Sequence, residues 1–586
     1  VTNIGRRCRK KEYSQRGAAL VVAMLTIVVM MGLGLMLLQI VQGGLVHSSL
    51  VEGKVKAETM AQNGLDEALA AIQNAVDAAN DSHTDYFDRV DASKTNVNTV
   101  IGELKAPNSK TMGAGTYSWR IYRKINADGS IDNQADQPLV KPDKNNDRFP
   151  HVPYVQRLMI ESTGKWQVSA SNKAIWPVVT KRMIVYVSTI EPVFRYSLVS
   201  HGDMMLNGAP YIVGNLLVDK ADKNNKPADG PADDPSTLLL SDIAHYFIVS
   251  GSDQTVSGTK GPSLRGFFRV TGADDNDDLG RKKAQKFTGA SFYPIYDTSL
   301  ATRSSFTNGD YLTVRDYVND AIADAEKWTT TPWLSPNSWP EANEYPISKS
   351  NTGNWITKDG GLDIPSTGKL SVTGGSVAIL NGSGITVADL RGTVDIPDGG
   401  LIVEGDAVFT DLTLTGNVFI RGNLYINGTL EANGTIYVDG DVELKNAKSI
   451  NVLNKKSIVI AASGNISFSD TNTDANVKSC GKDSSNCFRS YLYSEKSMNL
   501  YGVKSQLMIQ GGVRGKDVTL NAIRGDFKYN AETDTLNEPN QDDSDLTEKT
   551  SRLQILYDDN LYDDPPQGIP VTDTVNVYVK SIDTVR

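Results

Sequence analysis

The fold class this sequence predicts is mainly β, with one long N-terminal transmembrane α-helix, an α+β head and then a parallel β-helix (β-solenoid). Three observations predict it. Residues 18–38 carry no charge, and Thr26 is their only clearly polar side chain. Gly416, Gly422, Gly428, Gly434 and Gly440 recur every six residues, each followed by apolar residues two and four positions on. After about residue 80, long helical patterns give way to short alternating apolar and polar segments.

The N-terminal segment comes first. Arg6, Arg7, Arg9, Lys10, Lys11 and Arg16 stand against one acid, Glu12. About 20 apolar residues in a helix match the hydrocarbon thickness of a bilayer. The basic flank holds the N-terminus in the cytoplasm, so the chain after residue 45 lies outside it. No second stretch is long and apolar enough to span. Three readings compete for this segment. A cleaved secretory signal needs a short apolar core and a small-residue site, and this run is about twice such a core. Residues 38–44 supply no A-x-A site. A plain uncleaved anchor needs the span alone. The third reading uses the glycine that ends the leader.

Gln15-Arg16-Gly17-Ala18-Ala19-Leu20-Val21 resembles the processing site of type IV prepilins. More closely, it resembles the PilX-type N-terminal class of type IV pilus minor pilins and the large K-type pseudopilins of type II secretion. The resemblance implies that a prepilin peptidase, a membrane aspartyl enzyme, cuts between Gly17 and Ala18 and removes a leader, 1–17. The helix from Ala18 through Val22 to Leu38 then anchors the subunit in the cytoplasmic membrane and later packs in a filament core. The implied partners are other minor and major pilins, the peptidase and a membrane assembly platform. One departure stands out. Major pilins carry glutamate at the fifth mature position, where this chain has Val22. In the family that carboxylate neutralises a neighbour's terminal amine, and unpaired it is costly in an apolar core. A tip subunit has no neighbour ahead, so an apolar residue fits there. A chain that never assembles would show the same substitution.

Beyond the membrane, Met60, Leu65, Ala68, Leu69, Ile72 and Val76 recur at helical spacing, so the helix is expected to run from 18 to 82. Ala57 to Leu69 is also typical of the family, whose members bury this face against a small sheet. Gly43, Gly44 and Gly53 predict a looser helix near the membrane surface. Residues 83–200 are expected to form a β-rich, pilin-like head. Its strands are read at 116–122, 156–162 and 181–187. A mixed β and loop domain is expected at 201–359, opening on a β-coil at 207–218 and carrying a short helix at 317–328 capped by Asp310 or Thr313.

The glycine hexads are the signature of a solenoid. Val418/Ile420, Leu424/Ile426, Leu430/Ala432, Ile436/Val438 and Val442/Leu444 point inward, and the glycines serve as corners. Three six-residue faces give about 18 residues per triangular coil. Less regular repeats extend the solenoid over 360–530. It resembles bactofilin-type solenoids at the motif level; a β-sandwich with glycine turns is the alternative. Cys480 and Cys487 sit in a polar loop and, in an oxidising compartment, are expected to form a local disulfide; two free thiols are the alternative. Residues 531–586 are read as an acidic linker followed by strands that return to the body, at 553–557 and 575–579.

Catalytic signals are sparse. Five histidines form no HExxH pair, and neither a G-x-S-x-G elbow nor a P-loop occurs. Asp395, Asp398, Asp406, Asp411, Asp439 and Asp441 could serve a β-helix polysaccharide enzyme by residue type, but turn-forming Asp is ordinary at such corners. The expectation is no enzyme and no cofactor. Asp274, Asn276 and Asp278 offer oxygen ligands at alternate positions for calcium, but the loop fails the EF-hand pattern at Leu279 and Gln285. Arg524-Gly525-Asp526 is read as a chance tripeptide. A net charge of −10 argues against nucleic acid as a partner. The reading is a minor pilin-like structural protein at or near a filament tip, presenting a solenoid to a surface or polysaccharide ligand. The alternatives are an uncleaved single-span surface protein or a β-helix enzyme acting on polysaccharide.

Overall fold

The structure is a computed structural model. It describes residues 12–103, 108–122, 153–170, 173–219, 313–328, 348–358, 362–380, 387–452, 458–469, 487–503, 505–525, 550–558, 560–566 and 568–585, with short pieces between 238 and 297 and between 528 and 537.

Helix α1 runs unbroken over Glu12–Ser82, rich in Leu, Met and Ala and free of proline. Its last turn closes where Ser82 Oγ donates to the Ala78 carbonyl at 2.7 Å. Asp85 then caps a second helix, α2 (Tyr86–Glu103), by accepting from the Phe87 and Asp88 amides at 3.0 and 3.2 Å. The sequence reading placed only strands in this region. Tyr86, Val90, Val97 and Ile101 are buried along one face of α2 and share the core with α1.

The head sheet is antiparallel. Its strands are β1 (Asn108–Met112), β2 (Gly115–Tyr122), β3 (Val155–Trp166) and β6 (Val178–Ile190), and the C-terminal strand Val571–Val585 completes it beside β6. A hairpin, β4 (Val168–Ala170) with β5 (Lys173–Ile175), links β3 to β6. Ala57, Ala61, Leu65, Ala68, Ile72 and Val76 of α1 are fully buried against this sheet.

The solenoid is a stack of parallel strands, which a β-sandwich would not give. One of its sheets passes in order through 355–358, 377–380, 401–404, 418–421, 436–438, 458–462, 491–494 and 512–515. It continues through 198–200, 216–218, 268–270 and 295–297. The chain therefore enters the stack in its middle, at 198, and coils outward to 297. It resumes at the opposite end, at 348, and coils back until Leu553–Tyr557 lies parallel to both 507–511 and 211–213. In the hexad region the coil is 18 residues where Ile436 stands opposite Val418, Leu430 opposite Leu412 and Val442 opposite Leu424; beyond it coils lengthen, with Ile460 opposite Ile436.

This connectivity corrects two expected boundaries. Strands at 198–219, 238–241 and 263–271 share the solenoid's sheets, with 243–247 and 253–257 forming an antiparallel hairpin beside them, so 201–359 is not a separate mixed domain. The segment 531–586 divides between two bodies, with 553–557 stacking in the solenoid and 571–585 pairing in the head. The solenoid is thus inserted into the head between β6 and the strand that follows β6 in space. The physical cause is stacking: parallel coils pair wherever their apolar rows align, whatever their separation in the chain.

Inward residues of all three solenoid faces form one apolar core, which includes every hexad pair named above. Gly434 has φ +112°, and a Cβ there would sit 2.6 Å from the Gly416 carbonyl oxygen. Gly440 is not left-handed; a side chain there would collide with the Gly422 carbonyl. Corner amides are met by side chains from the adjacent coil. Asn417 Oδ1 accepts from the Thr435 amide at 3.0 Å, and Asn423 Oδ1 from the Asp441 amide at 2.9 Å.

Candidate membrane anchor and assembly site

From Ala18 to Val51 the chain carries no Asp, Glu, Lys or Arg. Residues 19–45 of the helix are exposed all round, clear of the head, and no other helix among the described residues is long and apolar enough to cross a membrane. Val22 is 65% exposed and Leu38 57%. Thr26 Oγ1 donates to the Val22 carbonyl at 2.8 Å, so its hydroxyl is satisfied within the helix. Gly17 and Ala18 both lie inside α1, which begins six residues before the expected start.

The helix meets the head at Gly53, and small residues set the approach. A Cβ at Gly53 would collide with Val168 Cγ2, and one at Gly64 with Ser162 Oγ. Gly53 is therefore a close-packing residue within continuous helix, not a loosening one, and Gly43 and Gly44 also sit in unbroken helix. From the sheet side, a side chain at Gly164 would run into the Ala57 carbonyl and the Ala61 amide. Backbone cannot move aside as a side chain can. Gly164→Val is expected to lift α1 from the sheet and cost about 3 kcal/mol or more. Urea denaturation and protease cleavage near residue 57 check it; unchanged curves would mean the helix docks more loosely.

Polar contacts fix the register of this docking. Lys181 Nζ reaches Glu58 at 3.1 Å and Gln62 Oε1 at 3.2 Å. Glu67 pairs with Lys110 and accepts from the Tyr117 hydroxyl at 2.9 Å. At the upper end, Asn80 makes a reciprocal pair with the backbone of Val575, at 2.9 and 3.0 Å. The long apolar helix thus holds the chain's last strand as well.

The joint between head and solenoid is apolar and charged at once. Outward residues of one solenoid sheet, among them Ile402, Phe419, Tyr437, Val459 and Tyr491, are buried in the core that holds the head. Helix α3 (Val314–Glu326) covers this sheet with Val314, Val318, Ile322 and Ala325. Its N-cap is Thr313, in a reciprocal capping box with Asp316. Tyr317, Tyr437 and Phe419 stack with centroid separations of 4.5 and 5.6 Å, and the Tyr437 hydroxyl donates to the Gly568 carbonyl.

Where β6 ends, Glu191 is buried. Arg514 Nη1 stands 3.1 Å from its carboxylate as an ion pair without hydrogen-bond alignment. Arg514 Nε donates to His201 Nε2 at 2.9 Å, and its guanidinium lies 3.9 Å over the Tyr493 ring. Burial pushes the Glu191 carboxyl above the usual range, and Arg514 opposes that shift. Glu495 is raised for the same reason, and it accepts from the Val314 amide at 2.7 Å. Sequence reasoning found none of these groups, since their chain spacing shows no pattern.

Several expected site residues serve structural ends. Asp398, Asp406, Asp411 and Asp441 accept from corner backbone amides. Asp439 binds Arg315 and the Ser463 hydroxyl. Arg524 is buried and donates to Ser263 Oγ at 2.7 Å, which removes it from solvent. Cys487 is buried and disulfide-bonded. Cys480, Asp526 and the calcium candidates Asp274, Asn276 and Asp278 lie outside the described residues.

No family model matches this chain, and no curated protein does. Among solved structures it is similar to the competence-associated pilin ComZ from Thermus thermophilus, at 12% identity and a TM-score of 0.26, over 91% of this chain and 98% of that one.

Proposed function

We propose that this chain is a minor pilin-like structural subunit at or near the tip of a type IV pilus or related filament, where it helps initiate assembly and presents the solenoid outward. One observation carries this reading: anchor and solenoid leave opposite ends of the head. The uncharged helix departs at Gly53, beside Val168 and Pro177. The solenoid departs after Ile190 and returns at Val571, residues paired with each other near the Asn80 end of the helix. A filament that repeats its subunits closely has no room along its side for an insertion from 191 to 570, whereas a tip leaves the space ahead open. Val22 fits the same position, since a leading subunit has no forward partner for a carboxylate. In this reading the solenoid faces left uncovered by α3 meet a surface or polysaccharide, and the chain works without catalysis or cofactor.

The test is the mature N-terminus by mass spectrometry, in cells with and without a prepilin peptidase. A peptide starting at Ala18 only when the peptidase is present is the expected result. Gly17→Leu should keep the basic leader and abolish filament incorporation while membrane insertion persists. An intact N-terminus in both strains would leave a plain single-span surface protein. Gold labelling of the solenoid at filament ends checks the tip position; labels spaced along the shaft would refute it.

A further inference from the structure

We propose that the base of the head is a lipid-seating surface: before assembly, the edge that carries Ile175, Trp176 and Val178 rests on the outer-leaflet headgroups of the membrane that α1 crosses. The inference rests on the membrane-anchor reading above and adds a surface to it. The first observation is exposed apolar area at an unexpected place. Ile175, Trp176 and Val178 are 37%, 45% and 53% exposed, in a head whose other large apolar residues are mostly buried. They sit where the helix leaves, since Pro177 and Val168 pack on Gly53. Val46, Ser49, Leu50 and Gly53 form one partly covered stripe, while the helix below it is exposed all round, so the head reaches down α1 toward the membrane.

The second observation is length. At 1.5 Å per residue, Gly53 stands about 52 Å from Ala18 along the helix. A bilayer with its headgroups is about 40–45 Å thick. Upright, the Gly53 level clears the lipid by roughly 10 Å while Val46, about 42 Å from Ala18, already lies at headgroup depth; a tilt of about 30°, within the common range, brings the Gly53 level down to it. Nothing charged between Ala18 and Val51 holds the helix at one depth. The third observation is the chemistry of the rim. Trp favours the membrane interface, with an apolar ring and one N–H donor. Exposed Lys54 and Lys165 lie at this end, Lys165 directly across from Val178, while Lys56 pairs with Glu52 at 2.6 Å; the two remaining cations suit an anionic leaflet.

The experiment uses the full chain with Cys8→Ser, reconstituted in vesicles of phosphatidylethanolamine and phosphatidylglycerol. Single added cysteines at Leu33, Trp176 and Lys445 carry an environment-sensitive fluorophore, and brominated lipids quench it. Quenching at Leu33 by deep bromines and at Trp176 by shallow ones, with none at Lys445 on the solenoid, is the expected result. Quenching at Leu33 alone overturns the seating surface and leaves the anchor reading intact. No quenching at Leu33 removes both. A label at exposed Gln167 then tests the cause: Trp176→Glu with Val178→Glu should abolish its shallow quenching and leave that at Leu33 unchanged. Retained quenching at Gln167 would mean the apolar patch does not seat the head, and would overturn the proposal.

Discussion

Ile426→Asp is expected to unfold the solenoid, while Tyr425→Asp one position earlier leaves its melting nearly unchanged. Ile426 is fully buried in the row that also holds Phe409 and Leu444, in the middle of the most regular coils. A carboxylate there finds no cation among those apolar neighbours, and burying an unpaired charge is among the few single changes that cost more than about 4 kcal/mol. Tyr425 points the other way and is 36% exposed. Because side chains alternate along a strand, the pair tests register as well as burial. Thermal melts of both variants, followed by far-UV circular dichroism, decide it. Equal loss in the two would mean that both faces of this strand are enclosed.

That register was legible because a six-residue glycine period leaves one consistent way to point the apolar pairs. The long apolar helix was legible for a similar reason, since an uncharged run needs no tertiary context to be recognised. The insertion was not legible. Val199 pairs beside Arg514 and Ile212 beside Ile555, and no local pattern couples residues so far apart in sequence. The coil at 207–218 was noticed, but only stacking shows which coil it joins. Helix α2 was missed because its buried residues are few and widely spaced among polar ones. The Asp85 cap was the signal that could have found it. The corner aspartates could be suspected as acids by composition; their occupation by backbone amides emerges only when the next coil is in place.

The joint offers the other large effect. Arg514→Met is expected to destabilise the protein by about 3–5 kcal/mol at neutral pH, because it strips the cation from a buried carboxylate. Arg514 is 17% exposed and Glu191 4%, so solvent screens the pair little. The loss should depend on pH with a definite sign. Burial already holds the Glu191 carboxyl above the usual range, with Arg514 pulling it down. Without Arg514 it rises further, so the native state binds a proton that the unfolded state releases. Stability then increases as pH falls through the raised native value toward the ordinary carboxylate range. The gap between variant and wild type is therefore full at pH above the raised value and narrows on acidification. Adding Glu191→Gln to Arg514→Met should recover much of the loss at neutral pH and flatten the pH dependence, since no buried charge remains. Denaturant midpoints across pH for the wild type, Arg514→Met, Glu191→Gln and the double variant supply the measurement. A gap that stays constant with pH would assign the cost to lost packing of the guanidinium on Tyr493 and not to the carboxylate. A gap that narrows would show that the head and the solenoid are held together partly by a charge pair that neither could bury alone.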